Sequence, residues 1–424
     1  MFDFKKNAIT NVTKLAKLAV SVGTIAVLPI LIPAQDLYQG AGSTAKVPEI
    51  LKRNRGTKPI IVTDGGLYKI GLHKKVTDAL DAAGMPYAIY HGVEPNPSIE
   101  NIEEAYALYL TEKCDCIVAI GGGSSMDAAK VLAGRVVNPN RTTKDMGKLF
   151  GYFQVSLPNF QRIPYTITIP TTAGTGAEST MAAVVSDHAA DKKYTITDPM
   201  MRPQAAILDP ELATGLPKFQ TAITAIDAVS HCSEGYIGGA KNFRATEYQE
   251  RAVRDIFANI DTAINDPTNL DARAALSQAA YFGGQSLNMS ATGYVHPFCH
   301  KIGAKYNLPH GRCIGAVMPI IFDAYMEREP EKVSKRLAKL GRAANISDPN
   351  ASDIDAANQY IQAIRDFDAK YGIDAYIPEI KDEDFEEIYK SIVVENFPYP
   401  TPVIFSKEEV FDLLRTIRGD YAAK

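Results

Sequence analysis

The five cysteines, Cys114, Cys116, Cys232, Cys299 and Cys313, include no C-x-x-C pair. An odd number without that spacing suggests neither a disulfide framework nor a four-sulfur zinc site, so the thiols read as reduced, in a reducing compartment. No long basic run occurs and the formal net charge is -4, which argues against nucleic acid as a partner. Internal repeats and low-complexity stretches are also missing. What remains, 46% apolar and 22% charged, is the composition of an ordinary soluble globular protein. At 424 residues the chain is too long for one compact core, and two domains are expected.

Acidic residues are absent between Asp3 and Asp36, while Lys5, Lys6, Lys14 and Lys17 precede an apolar run from Leu18 to Ala34. This imitates a signal peptide, yet Pro29 and Pro33 interrupt the run and it is short for a membrane span. Ile9, Val12, Leu15, Ala16, Ala19 and Val22 fall near helical spacing, so residues 6 to 22 read as an amphipathic helix that docks on the body or on a partner. An addressing or encapsulation peptide is the alternative, and secretion a third.

From Lys58 onward strands and helices alternate. Pro59 to Thr63 is a short apolar run ending at Asp64-Gly65-Gly66, and the helix after it closes at Ala83-Gly84. Tyr87 to Tyr90 reads as a strand, Ser98 to Lys113 as a helix and Cys116 to Ile120 as a buried parallel strand. That strand opens into Gly121-Gly122-Gly123-Ser124-Ser125-Met126-Asp127, with a helix starting at Ala128. Strand, glycine turn and helix in this order point backbone N–H groups and a positive helix end at a phosphate. A second loop, Ile169 to Glu178, follows the apolar strand Ile163 to Ile169, and its small hydroxyl residues and glycines let donors approach a nucleotide closely. Glycine turns also serve backbone geometry alone, so either loop by itself is a weak sign. Asp64 follows the first α/β strand, where a carboxylate accepts hydrogen bonds from an adenosine ribose and repels a 2′-phosphate. As a turn residue before glycines it would need no ligand.

After Leu216-Pro217, β-branched strands give way to long alanine-rich helices, among them Thr221 to Tyr236, Ala245 to Ile264 and Asp271 to Leu287. The expected division is an α/β nucleotide-binding domain over 1–214, in which 1–29 is an atypical extension, and a helical domain over 215–424. The active site is expected in the cleft between them.

Only seven histidines occur, and four of them lie between residues 223 and 310. Asp227 and His231 stand at i and i+4 on one helix, His296 and His300 on another, and each pair projects from one face. His310 follows the bend at Leu308-Pro309. Any one of these alone is most simply a satisfied core polar group. Together they read differently, because Asp227 sits among Ala222, Ala225, Ile226, Ala228 and Val229, and a buried carboxylate is costly without a cation or donors. Two such pairs and His310 are positioned to converge on one divalent metal.

The stretches D-A-V-S-H, G-Y-V-H-P-F-C-H and N-L-P-H-G resemble the metal site of the iron-containing (group III) alcohol dehydrogenases. The loops G-G-G-S-S-M-D and T-T-A-G-T-G-A-E resemble that family's cofactor loops, and the resemblance runs from about Gly40 to near the C-terminus. It implies a dehydroquinate synthase-like fold, an α/β N-terminal dinucleotide-binding domain followed by an all-helical C-terminal metal-binding domain. By residue match it assigns Asp227, His231, His296 and His310 as metal ligands and places His300 in the active site without making it a ligand. By the same match Asp64, Asn96, Gly122, Gly123, Ser124, Thr171, Thr172, Thr180, Lys193 and Leu212 are nucleotide contacts, Asp64 going with NAD preference. Lys193 also has an ordinary reading as a solvated charge.

The implied cofactors are NAD(H) and one divalent ion. Three imidazoles and a carboxylate accept Fe(II), Zn(II) and other first-row ions, and the resemblance favours Fe(II), with Zn(II) as the alternative. The implied reaction is reversible hydride transfer between a primary alcohol or diol, or its aldehyde, and NAD(H), with the alcohol oxygen activated by the metal. A non-redox NAD- and metal-dependent enzyme of the dehydroquinate synthase type is the runner-up. That class is expected to offer more basic side chains for a phosphorylated substrate, and the histidine loop here is apolar at Phe298 and Ile302. A silent scaffold would require a broken ligand set, and all four ligand types are present. Further expectations are a cytoplasmic homo-oligomer, at least a dimer, without a membrane span, engaged in aldehyde reduction and fermentation. Ala177 stands where the family often has serine, Ser125-Met126 where it often has Pro-Ile, and Pro297-Phe298-Cys299 where it has smaller residues. Leu287 matches a position near the substrate.

Overall fold

The structure, a computed structural model, describes residues 32–147, 163–190, 192–238, 242–397 and 399–421. The docking helix expected over residues 6 to 22 lies outside the described residues. The chain divides into two units, Ile30–Leu216 with Asn265–Gly284, and Pro217–Ile264 with Gln285–Lys424.

In the first unit β1 (Asp36–Gln39), β2 (Pro59–Asp64), β3 (Ala88–Val93), β4 (Cys116–Gly121), β5 (Tyr165–Pro170), β6 (Ala182–Asp187), β7 (Lys192–Thr197) and β8 (Ala205–Leu208) are interleaved with helices. These are α1 (Val47–Arg53), α2 (Gly65–Lys69), α3 (Lys74–Ala82), α4 (Ile99–Thr111), α5 (Gly123–Val137) and α6 (Thr143–Gly147). Six strands form a parallel sheet in the order β1-β8-β5-β4-β2-β3, and β6 pairs with β7 as an antiparallel hairpin.

Every residue of β4 is buried, as a parallel strand covered on both faces requires. Alternation then sorts its side chains. Ile117 and Ala119 pack with Ile60, Val62, Met126 and Leu132 in one cluster, while Val118 and Ile120 pack with Ile61, Ile167, Leu51 and Leu80 in another. Each fully buried isoleucine contributes about 1.5–3 kcal/mol, so these short apolar runs hold the sheet together. From β2 the chain steps outward to β3 and then returns across β2 to β4. Strand order therefore reverses between β2 and β4, and open α/β sheets take their ligands outside the carboxyl ends of the strands at such a point. Asp64 ends β2 and Gly121 ends β4.

Helices make up the second unit: α7 (Lys218–Ile237), α8 (Phe243–Asn265), the end of α9 (Leu270–Ser290), α10 (Val295–Tyr306), α11 (His310–Arg328), α12 (Pro330–Ala343), α13 (Asp353–Tyr371), α14 (Phe385–Asn396) and α15 (Lys407–Arg418). The division between the units falls inside α9, at Gly284. From Thr221 to Ile237 every residue of α7 except Thr224 is buried. A helix buried all round belongs to a core, and its Asp227, His231 and Glu234, on one face at i, i+4 and i+7, must find partners inside the protein. The α/β unit and the helical unit are the two architectures that the sequence predicts.

Candidate active site

Asp227 and His231 lie one turn apart on α7, His296 and His300 one turn apart on α10, and His310 opens α11. Between the last two helices Asn307 takes the left-handed conformation, with φ of 52°, and Pro309 precedes the new helix. That sharp turn is seated by Gly311, where a Cβ would lie 2.0 Å from the Ile223 carbonyl oxygen, one helical turn before Asp227. Only glycine permits the approach, and it sets His310 against α7.

Asp227 Oδ1 consequently lies 3.6 Å from His231 Nε2, 3.7 Å from His296 Nε2 and 3.5 Å from His310 Nε2. Ligand atoms about 2.1 Å from one tetrahedral ion stand roughly 3.4 Å apart, so the spacing fits a single first-row ion. The ligand atoms of Asp227, His231 and His296 are all within 4.8 Å of one another. Asp227 Oδ1 and His296 Nε2 are buried without a hydrogen-bond partner. Such a pair is costly unless a cation sits between them. His310 keeps 35% of its side chain exposed, against 5% for Asp227, so the site opens on the His310 side.

Electrostatics separate the roles of these groups. Burial opposes ionisation of Asp227, but the His231 and His310 rings outweigh it and hold the carboxyl well below its ordinary range. Burial pushes the His231 imidazole down to about 3 in spite of Asp227. For His296 burial again opposes charge, yet the Glu234 and Asp227 carboxylates prevail and raise it to about 10. A metal ion therefore competes with a proton at His296.

Nothing in the sequence reading singles out Glu234. Its Oε1 accepts the Val295 N–H at 2.7 Å, and its Oε2 pairs with His296 Nδ1. One buried carboxylate thus ties α7 to the N-terminus of α10 and keeps the His296 proton on Nδ1, freeing Nε2. Its place three residues after His231 on the same face was the available signal. His300 stands apart from this pairing. Its ring stacks on His310 at 5.1 Å between centroids and meets His296 edge-on at 5.7 Å, while its Nδ1 lies 2.6 Å from Glu395 Oε1 on α14.

In the α/β unit, α5 begins at Gly123 rather than at the expected Ala128, because the glycine turn itself supplies the first helical turn. A Cβ on Gly123 would lie 2.9 Å from Thr175 Cγ2, so the second loop lies directly against this start. Gly122 is the N-cap and provides no side-chain cap, which leaves the leading N–H groups for an anion. The Thr171 N–H donates to the Gly121 carbonyl at 2.9 Å, and a Cβ on Gly122 would be 3.7 Å from Thr172 Oγ1. Asn96 donates its N–H to Ser124 Oγ at 3.2 Å and accepts from Lys193 Nζ at 3.0 Å. Asp64 caps α2, its Oδ1 accepting from Gly66 and Leu67 N–H at 2.9 Å each. Two expected contacts lie deeper. Thr180 is 6% exposed and its hydroxyl accepts from the buried Lys130 at 2.9 Å, and Leu212 is packed in the core with Ile207 and Val47.

The fold is similar to that of a crystal structure of 1,3-propanediol oxidoreductase, with a TM-score of 0.84 and 27% identity over 91% of this chain and 98% of that one. "Alcohol dehydrogenase 4" of Saccharomyces cerevisiae (strain YJM789) is 30% identical over 382 residues, 89% of this chain and 95% of the relative. "NAD-dependent methanol dehydrogenase" of Bacillus methanolicus is 29% identical over 378 residues, 89% and 96%. Residues 34–210 match the family described as "Iron-containing alcohol dehydrogenase", and residues 221–418 match "Fe-containing alcohol dehydrogenase family, C-terminal". The chain belongs to the iron-containing alcohol dehydrogenase family, as its sequence motifs imply.

Proposed function

We propose that this enzyme interconverts a primary alcohol or diol and its aldehyde with NAD(H), using one divalent metal ion, Fe(II), held by Asp227, His231, His296 and His310. The observation that carries the reading is the three imidazole Nε2 atoms 3.5 to 3.7 Å from one buried, unpartnered carboxylate oxygen. When bound, the ion supplies Lewis acidity to the alcohol or aldehyde oxygen. The family to which both halves of the chain belong supports iron.

Overall the alcohol gives a hydride to NAD and a proton to the protein, yielding aldehyde and NADH. His300, with Nδ1 engaged by Glu395, offers Nε2 as the group that accepts the alcohol proton and returns it in aldehyde reduction, work suited to an imidazole. The uncapped start of α5 holds the pyrophosphate, aided by Gly122, Gly123, Ser124, Thr171 and Thr172. Asn96 and Lys193 form its rim, while Thr180 and Leu212 support the loops from behind. Asp64 uses Oδ1 for its cap, so Oδ2 is the oxygen that meets the ribose and excludes a 2′-phosphate.

All five cysteines are free and buried, which supports a cytoplasmic setting, and no helix among the described residues is long and apolar enough to cross a membrane. We carry the homo-oligomer, at least a dimer, as an expectation on which light scattering decides. The test of function is a panel of alcohols and aldehydes with NAD and NADP on anaerobically prepared, iron-loaded protein. Turnover with NAD and short primary alcohols or diols is expected; metal-replete protein that reduces NAD with none of them contradicts the reading.

A further inference from the structure

We propose that Glu395 is the positioning residue for His300, fixing which edge of the imidazole faces the reacting oxygen. The inference rests on the role given to His300 above and adds a residue to it.

His300 is constrained by stacking on His310 and by the edge contact with His296. Those contacts define the plane of the ring but not its orientation within that plane: a half-turn about Cβ–Cγ exchanges Nδ1 with a carbon and leaves the stack intact. The carboxylate of Glu395 removes the ambiguity. Its Oε1 lies 2.6 Å from Nδ1, and an ionised carboxylate only accepts, so the proton of the neutral ring is on Nδ1 and the lone pair is on Nε2. With side chains 28% and 22% exposed, the pair is largely withdrawn from competing water, which makes a charge-assisted bond of this kind directional.

The two helices do not depend on this bond for their contact. Lys301 pairs with Glu387 at 2.5 Å, and Lys305 pairs with Glu387 at 2.7 Å and with Asp384 at 3.0 Å. Those ion pairs, with Ile302, Phe385, Ile388 and Ile392 buried, keep α14 on α10 when Glu395 is replaced. A variant can therefore lose the orientation of His300 while keeping the fold.

The experiment compares Glu395→Leu, Glu395→Asp, His300→Ala and the Glu395→Leu/His300→Ala double variant, each loaded with metal. Glu395→Leu should lower kcat about ten-fold, with the alcohol KM changed less than two-fold and metal per subunit at the wild-type level. Glu395→Asp should recover part of the loss, and Glu395→Leu should add nothing in the His300→Ala background. In Zn(II)-loaded, 15N-histidine-labelled protein, the His300 signal should report the Nδ1–H tautomer and lose it in Glu395→Leu. Full kcat in Glu395→Leu when His300→Ala is impaired, or additive losses in the double variant, overturns the role of Glu395 and spares that of His300. Full kcat in His300→Ala instead overturns the reading on which the inference rests.

Discussion

Asp64 has two tasks that mutation can separate. Its Oδ1 caps α2 through two backbone N–H groups, and in the proposed nucleotide site its charge would turn away a 2′-phosphate. Replacement by glycine would remove both, whereas serine retains a capping oxygen. Asp64→Ser is therefore expected to raise the kcat/KM ratio of NADP to NAD about ten-fold or more, which needs only ~1.4 kcal/mol of relieved repulsion. Melting should barely change. An unaltered ratio in folded protein would remove Asp64 from the nucleotide site.

Joints between helices decide the proposed metal site, and this is where the sequence was only partly legible. The i and i+4 spacing on α7 and on α10 marks Asp227, His231, His296 and His300 without any tertiary information, because a helix alone puts each pair on one face. Glu395 escapes such reading, and the spacing that puts Glu234 on the His231 face does not say what it meets. Glu234 matters because α10 starts beside it, and Glu395 because α14 lies along α10, 95 residues further on in the chain. The helix α5 starts at Gly123 and not at Ala128 for a related reason: glycine is a poor helix former, but the loop carrying Thr175 comes too close for a side chain at Gly123. Glu234→Gln tests the α7–α10 joint. It keeps the shape and loses the charge that orients His296, so metal affinity measured against a chelator should fall about 10- to 100-fold. Unchanged affinity would reduce Glu234 to packing.

Stability of the molecule carries its own pH signature through Asp368 of α13, which is 4% exposed and has a buried Oδ1 without a hydrogen-bond partner. Burial pushes its carboxyl up from an ordinary 3.8 to about 8. The unfolded chain then gives up this proton at lower pH than the folded one, so the contribution to stability is full below about pH 4, declines up to about pH 8 and then levels off. Asp368→Asn should melt higher than wild type at pH 8, by roughly 2–4 °C for each kcal/mol regained, with the advantage shrinking toward pH 5. A difference independent of pH would mean that the carboxylate is not the cause.

The family is that of iron-containing alcohol dehydrogenases, and the central feature of the proposed function is a four-ligand ion site with His300 outside it. Metal content per subunit of anaerobically purified wild type, His296→Ala and His300→Ala, each with its fold checked by circular dichroism, tests that feature directly. One ion per subunit is expected in wild type and in His300→Ala, with loss in His296→Ala. Loss in His300→Ala with retention in His296→Ala would contradict it.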